Sequence, residues 1–167
     1  MVNEFSDFAR MPKPILKDNN LVLLIQDNIN LISELDSSIS INFNANSERA
    51  ILNSDNEQLS RVFLNIIKNS IESIQEKKLN NIDFQGKIEI ILNNSETDIN
   101  ITIIDNGLGF GIFEDNIKDI LNPYFTTKKQ GTGLGLAIVN KTINDHNGSI
   151  EFIPIDNGAK IQIRFIK

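Results

Sequence analysis

Cysteine is absent from this 167-residue chain, which excludes disulfides, thiolate metal sites and cysteine nucleophiles together. No apolar run approaches the roughly 20 residues of a membrane-spanning helix. The N-terminus lacks the basic-then-apolar order of a secretory leader. Lys and Arg are outnumbered by Asp and Glu, 16 to 22, and they form no basic run, which argues against a general nucleic-acid or anionic-membrane surface. There is no internal repeat and no Gly-x-x-x-x-Gly-Lys-[Ser/Thr] phosphate loop. Histidine occurs once, as His146. The expected location is cytoplasmic, with any membrane anchor left to a longer parent.

What is present reads as one soluble domain with a real core: 40% hydrophobic and 23% charged residues, in a length that suits a single core and a short appendage. Apolar groups at helical spacing run from Val2 to Arg10. Met11-Pro12-Lys13-Pro14 then ends any helix, because proline disfavours helical geometry in the residue before it. This segment reads either as a frayed tail or as the stub of a longer helix. A helix is predicted over Asn20–Ser33, with Leu21, Leu24, Ile25, Ile29 and Ile32 along one side. Strands are predicted over Ile39–Phe43 and Arg49–Asn53. Ser54-Asp55-Asn56-Glu57 fits a capping box opening a long helix that runs to about Lys78.

Gly86–Asn93 and Asp98–Asp105 read as paired strands joined by a polar turn. A short helix over Phe113–Leu121 lies within an otherwise irregular, glycine-marked stretch from Asn106 to Gly131. A second strong helix over Leu134–His146 stops at Asn147-Gly148. Ser149–Ile153 and Ala159–Ile166 form a hairpin around Asp156-Asn157-Gly158. Two main helices against a mostly antiparallel sheet make an α+β two-layer sandwich.

Three segments carry chemistry. On the long helix, at about 100° per residue, Leu59, Val62, Phe63, Ile66, Ile67, Ile71 and Ile74 fill one half, which packs on the sheet. Gln58, Arg61, Asn65, Asn69 and Glu72 fall in a stripe along its border, where a helix can line a cleft. A neutral amide oxygen is a ligand that Mg²⁺ accepts at a site completed by water and phosphates. Taken alone, the two asparagines read more readily as surface residues of an asparagine-rich chain. The second segment is Asp105-Asn106-Gly107-Leu108-Gly109. There a strand delivers Asp105, whose carboxylate can accept a hydrogen bond from an adenine amino group, while Gly107 and Gly109 admit backbone close to the ring. Alone it is also an ordinary turn. The third, Gly131-Thr132-Gly133-Leu134-Gly135, opens a helix, so free amides and the helix dipole face an anion such as a phosphate. A dinucleotide fingerprint would need a buried strand before it, and the polar Thr126-Thr127-Lys128-Lys129-Gln130 is not one.

Together these segments resemble the catalytic and ATP-binding domain of sensor histidine kinases, within the GHKL superfamily. The matches come in that family's order: an asparagine box at Asn65–Asn69, a first glycine box at Asp105–Gly109, a phenylalanine box at Asn122-Pro123-Tyr124-Phe125-Thr126-Thr127-Lys128, and a second glycine box at Gly131–Gly135. Asp145-His146-Asn147-Gly148-Ser149-Ile150 and Asn157-Gly158-Ala159 are similar to further family features. Phe5-Ser6-Asp7-Phe8-Ala9-Arg10-Met11-Pro12 resembles the end of the second dimerisation helix of nitrogen-regulation sensor kinases. The resemblance covers about residues 20–167, with residues 1–19 a remnant of that dimerisation helix and a linker.

The resemblance implies a Bergerat-type sandwich that holds ATP between its helices and a flexible lid. Asn69 would be the Mg²⁺ ligand and Asn65 its partner near the phosphates. Asp105 would read adenine, with Gly107 and Gly109 shaping its pocket. Gly131, Thr132, Gly133, Leu134 and Gly135 would hold the phosphates, and Phe125 and Thr127 would belong to a lid spanning roughly residues 123–132. GHKL ATPases carry a water-activating glutamate four residues before the metal asparagine. Here that position is Asn65, which favours kinase over ATPase. Many sensor kinases carry a basic residue where this chain has Glu72, and Lys128 is the substitute expected to contact phosphate. The family's phosphoacceptor histidine lies on a dimerisation helix absent here, and His146 reads as structural or surface. The chain is therefore expected to bind ATP and Mg²⁺, to act on a histidine-bearing dimerisation domain, and to feed a response regulator, without phosphorylating itself.

Overall fold

The computed structural model describes residues 6, 8–124, 126 and 133–167. The chain opens with strand β1 (Lys17–Asn20) and helix α1 (Leu21–Ile32), followed by β2 (Ile39–Ala45), β3 (Ile51–Ser54) and the long helix α2 (Asn56–Leu79). β4 (Gly86–Asn94) and β5 (Asp98–Asp105) come next, then a 3-10 segment (Gly111–Leu121), helix α3 (Gly135–Asp145), β6 (Gly148–Ile155) and β7 (Gly158–Ile166). Five strands form one sheet in the order β2-β4-β5-β7-β6. β2 and β4 run parallel, which the crossover through α2 permits, and the other neighbours are antiparallel. β1 and β3 make a separate two-stranded antiparallel ribbon. This is the α+β sandwich predicted from the sequence.

The core lies where periodicity placed it. β4 and β5 alternate strictly, burying Ile88, Ile90 and Leu92 from one and Ile99, Ile101 and Ile103 from the other. Against that face α2 buries all seven apolar residues of its predicted half, and α1 buries Leu21, Leu24, Ile25, Ile29 and Ile32. Each such side chain contributes roughly 1.5–3 kcal/mol when fully withdrawn from water. One buried amide stitches the helices together: Asn28 Nδ2 donates to Leu24 O at 2.7 Å, and Ser60 Oγ donates to Asn28 Oδ1 at 2.9 Å.

Three local readings need correction. The cap of α2 is Asp55, whose side chain accepts from the Gln58 amide, and not Ser54. Ser54 is the last residue of β3, fully buried and turned back on Leu52 O. The helix predicted over Phe113–Leu121 is a longer 3-10 stretch broken at Asn116 (φ -144°, ψ 68°). β1 was not anticipated, because Lys17-Asp18-Asn19-Asn20 has no apolar alternation. It is held by side chains instead: Asn19 Nδ2 donates to Ser54 O at 2.8 Å, and Asn20 Oδ1 accepts from the amides of Ala50 and Val22. Both predicted stops hold, with Asn147 (φ 56°) and Asn157 (φ 60°) taking the left-handed conformation that asparagine tolerates.

Candidate functional site

The stripe of α2 lies at the edge of its buried face as predicted. Gln58, Asn65, Asn69 and Glu72 are half-buried and Arg61 is exposed. β5 ends in Asp105, a carboxylate only 6% exposed in line with the buried Ile99, Ile101 and Ile103. Its Oδ1 accepts from the Gly107 amide at 2.9 Å. Burial pushes the Asp105 carboxyl above the ordinary carboxylate value, against the pull of the Gly107 amide, the Ser70 hydroxyl, the Ala159 amide and the Lys77 charge. Asp105 is the one carboxylate among the buried described residues, and an acid buried at that cost is a candidate site residue.

The glycines explain themselves sterically. A side chain at Gly107 would meet Ser73 Oγ at 2.4 Å, so only glycine lets the loop after β5 lie against α2. Gly109 (φ 79°) and Gly133 (φ 70°) occupy the left-handed region. Gly135 begins α3, and a Cβ there would stand 2.8 Å from Asn65 Oδ1. The structure thus brings the asparagine stripe directly against the start of α3. Leu134 is buried at that helix entry, and Tyr124 N donates to Gly133 O at 3.0 Å, joining the two flanks of the predicted lid. The lid residues Phe125, Thr127, Lys128, Gly131 and Thr132 lie outside the described residues.

Two further features were not read from the sequence. Gly158, at φ 154°, would place a Cβ 1.9 Å from the carbonyl oxygen of Asp105. Gly158→Ala is therefore expected to destabilise the domain by about 1–3 kcal/mol through overpacking, lowering the thermal midpoint by roughly 2–4 °C for each kcal/mol. A melt that matched the unsubstituted chain would show that β7 can yield there. His146 is buried, with Nδ1 2.7 Å from Thr142 O and Nε2 accepting from the Asp55 amide at 3.0 Å. That pattern requires the neutral Nδ1–H tautomer and ties the end of α3 to the start of α2. Of the structural or surface roles expected for His146, burial and these bonds match the structural one.

A groove of about 900 Å³ opens beside Asn65 and Gly135, lined also by Arg10, Pro12, Leu31, Arg61 and Lys68. Neither Asn69 nor Asp105 lines it. Among the described residues no group of three or more His, Cys, Asp or Glu could hold a metal. No helix among them is long and apolar enough to cross a membrane.

The family described as Histidine kinase-, DNA gyrase B-, and HSP90-like ATPase matches residues 54–167. The nitrogen regulation protein NtrY of Azorhizobium caulinodans is 35% identical over 170 residues, covering 98% of this chain and 21% of its own length. The chain spans about a fifth to a third of the length of the curated relatives it matches, 26% in the putative sensor histidine kinase NtrY-like protein of Rickettsia bellii and 33% in the sensor histidine kinase ZraS of Salmonella typhimurium. Among solved structures, the catalytic domain of histidine kinase ThkA aligns with a TM-score of 0.78 at 28% identity, covering 91% of this chain and 95% of that one. ThkA in complex with the response regulator protein TrrA aligns with a TM-score of 0.79 at 24% identity, over 99% of this chain and 46% of that one.

Proposed function

Since this chain belongs to the family of histidine kinase-, DNA gyrase B- and HSP90-like ATPases, we propose that it is the ATP-binding catalytic domain of a two-component sensor histidine kinase. It would transfer the γ-phosphoryl group of ATP to a histidine on a dimerisation domain outside this chain. An ATP-binding catalytic fold of the histidine kinase type is what the family and the ThkA domain share with it. The observation that carries the reading is the approach of Asn65 to Gly135, which sets the amide stripe of α2 beside the N-terminus of α3.

Each residue then has a task. Asp105 accepts from the adenine amino group, with Gly107 and Gly109 keeping its pocket open. Gly131, Thr132, Gly133, Leu134 and Gly135 would hold the phosphates, helped by the positive helix terminus that follows them. Asn69 offers an amide oxygen to Mg²⁺ and Asn65 a second one nearby, a donor type the ion accepts when phosphates and water complete its shell. When bound, the metal would supply neutralisation of phosphate charge. Lys128 would add a point charge to the phosphates, and Phe125 and Thr127 would belong to the lid. Such chemistry is mostly positioning and charge neutralisation, and Asn65 offers no base to activate water. Residues 1–19 fit a remnant of a dimerisation helix and linker, a response regulator fits as next acceptor, and a cytoplasmic site of action suits both.

Incubated with Mg-ATP and a dimerisation domain carrying an intact histidine, the chain is expected to yield phosphohistidine on that domain while its own hydrolysis of ATP stays slow. Tight ATP binding with no labelled histidine would replace transfer with a nucleotide-gated binding role. Brisk steady-state hydrolysis would point to an ATPase instead.

A further inference from the structure

The geometry points to Ser73 and Lys77 as positioning residues that clamp the first glycine loop onto α2 and so hold the adenine end of the site in shape. This rests on the nucleotide-pocket reading above and extends it to residues outside its four sequence boxes. Ser73 lies four residues after Asn69 and Lys77 four after that, so both lie on the flank of α2 that carries the asparagines. Ser73 Oγ accepts from the Leu108 amide at 2.9 Å. Lys77 Nζ donates to two consecutive carbonyls, Asn106 O at 2.8 Å and Gly107 O at 3.1 Å. The same ammonium stands 4.5 Å from the centre of the Phe84 ring, a cation–π seat that fixes the end of a flexible side chain.

The loop is held from its other side as well. Asn106 Oδ1 accepts from the Lys87 amide at 2.8 Å and its Nδ2 donates to Gln85 O at 2.9 Å, so the asparagine is fastened to the start of β4. Gly107, pressed against Ser73, is the residue whose amide hydrogen-bonds the Asp105 carboxylate. The sequence Asp105-Asn106-Gly107-Leu108 is therefore pinned residue by residue: the carboxylate by an amide, the next two carbonyls by one ammonium, the last amide by one hydroxyl. A loop without those ties could drift by the ångström that positional contacts do not forgive. Neither Ser73 nor Lys77 needs to touch the nucleotide for this to matter.

The test is calorimetric titration of adenosine, ADP and Mg-ATP into the whole chain and into Lys77→Met, Lys77→Arg and Ser73→Ala, with thermal melts alongside. Lys77→Met is expected to weaken all three ligands by a common factor of about 10, the scale of a lost hydrogen bond to a charged group. A common factor locates the damage at the base and not at the phosphates, and a merely structural role would not produce it in a protein that still melts cooperatively. Lys77→Arg should restore most of the affinity, and Ser73→Ala should show the same ligand-independent loss in smaller measure. Unchanged affinity in both Lys77→Met and Ser73→Ala, or a loss confined to Mg-ATP, overturns the clamp while leaving the pocket intact. Absence of adenine-nucleotide binding by the unsubstituted chain overturns the pocket itself, and the clamp with it.

Discussion

Asp105→Asn is expected to give a chain that melts no lower than the original yet binds ATP about 10- to 150-fold more weakly, the span of about 1.5–3 kcal/mol for a hydrogen bond to a charged group. The two effects have one cause. The carboxylate is buried at the end of β5 and its pKa is raised, first by that burial. A raised pKa means that the folded state holds the proton more tightly than the unfolded chain. The stability this contributes is complete below the unfolded value of 3.8 and is lost as pH rises through the folded value. At neutral pH the folded protein therefore carries the charge at a cost. Asparagine removes it while its oxygen can still accept from Gly107.

Adenine recognition depends on the opposite state, since a neutral acid or an amide is the weaker acceptor. ATP affinity should accordingly fall as pH drops through the raised Asp105 value, and that limb of the profile should vanish in Asp105→Asn. Thermal melts and titrations across the acid range check both signs. A variant that binds ATP normally would remove Asp105 from the site, and one that melts far lower would make its role structural.

Asn69→Ala should act at the other end of the ligand. The expected result is an affinity for ATP that no longer responds to Mg²⁺, with phosphoryl transfer lost. The metal-dependent increment should shrink by at least the roughly 10- to 100-fold that even outer-shell partners of a bound ion cost. Titrations with and without Mg²⁺ separate this variant from Asp105→Asn, whose deficit should be the same in both conditions. Retention of the full Mg²⁺ response in Asn69→Ala would assign the ion to other ligands.

Repetition and burial explain what was legible beforehand. The seven apolar residues of α2 recur at helical spacing, and β4 and β5 alternate cleanly, so core face and strand pairing followed from period alone. The asparagine stripe followed from the same helical wheel, and the glycine segments from where they fall relative to a strand end and a helix start. What escaped was set by single side chains acting over long sequence separations. β1 exists because Asn19 and Asn20 reach residues near 50, which no local pattern encodes. The exchange of Ser54 for Asp55 as helix cap reflects a competition between neighbouring residues of similar capping strength. Gly158 reads in sequence as a hairpin glycine, and only the register of β5 with β7 reveals that it also makes room for the Asp105 carbonyl.

The rivet at His146 has a practical corollary for labelling work. One ring nitrogen of that imidazole carries a proton given to Thr142 and the other spends its lone pair on Asp55, so neither is a nucleophile. Phosphohistidine is thus not expected on this chain after exposure to radioactive ATP, and the polypeptide supplies its own blank lane.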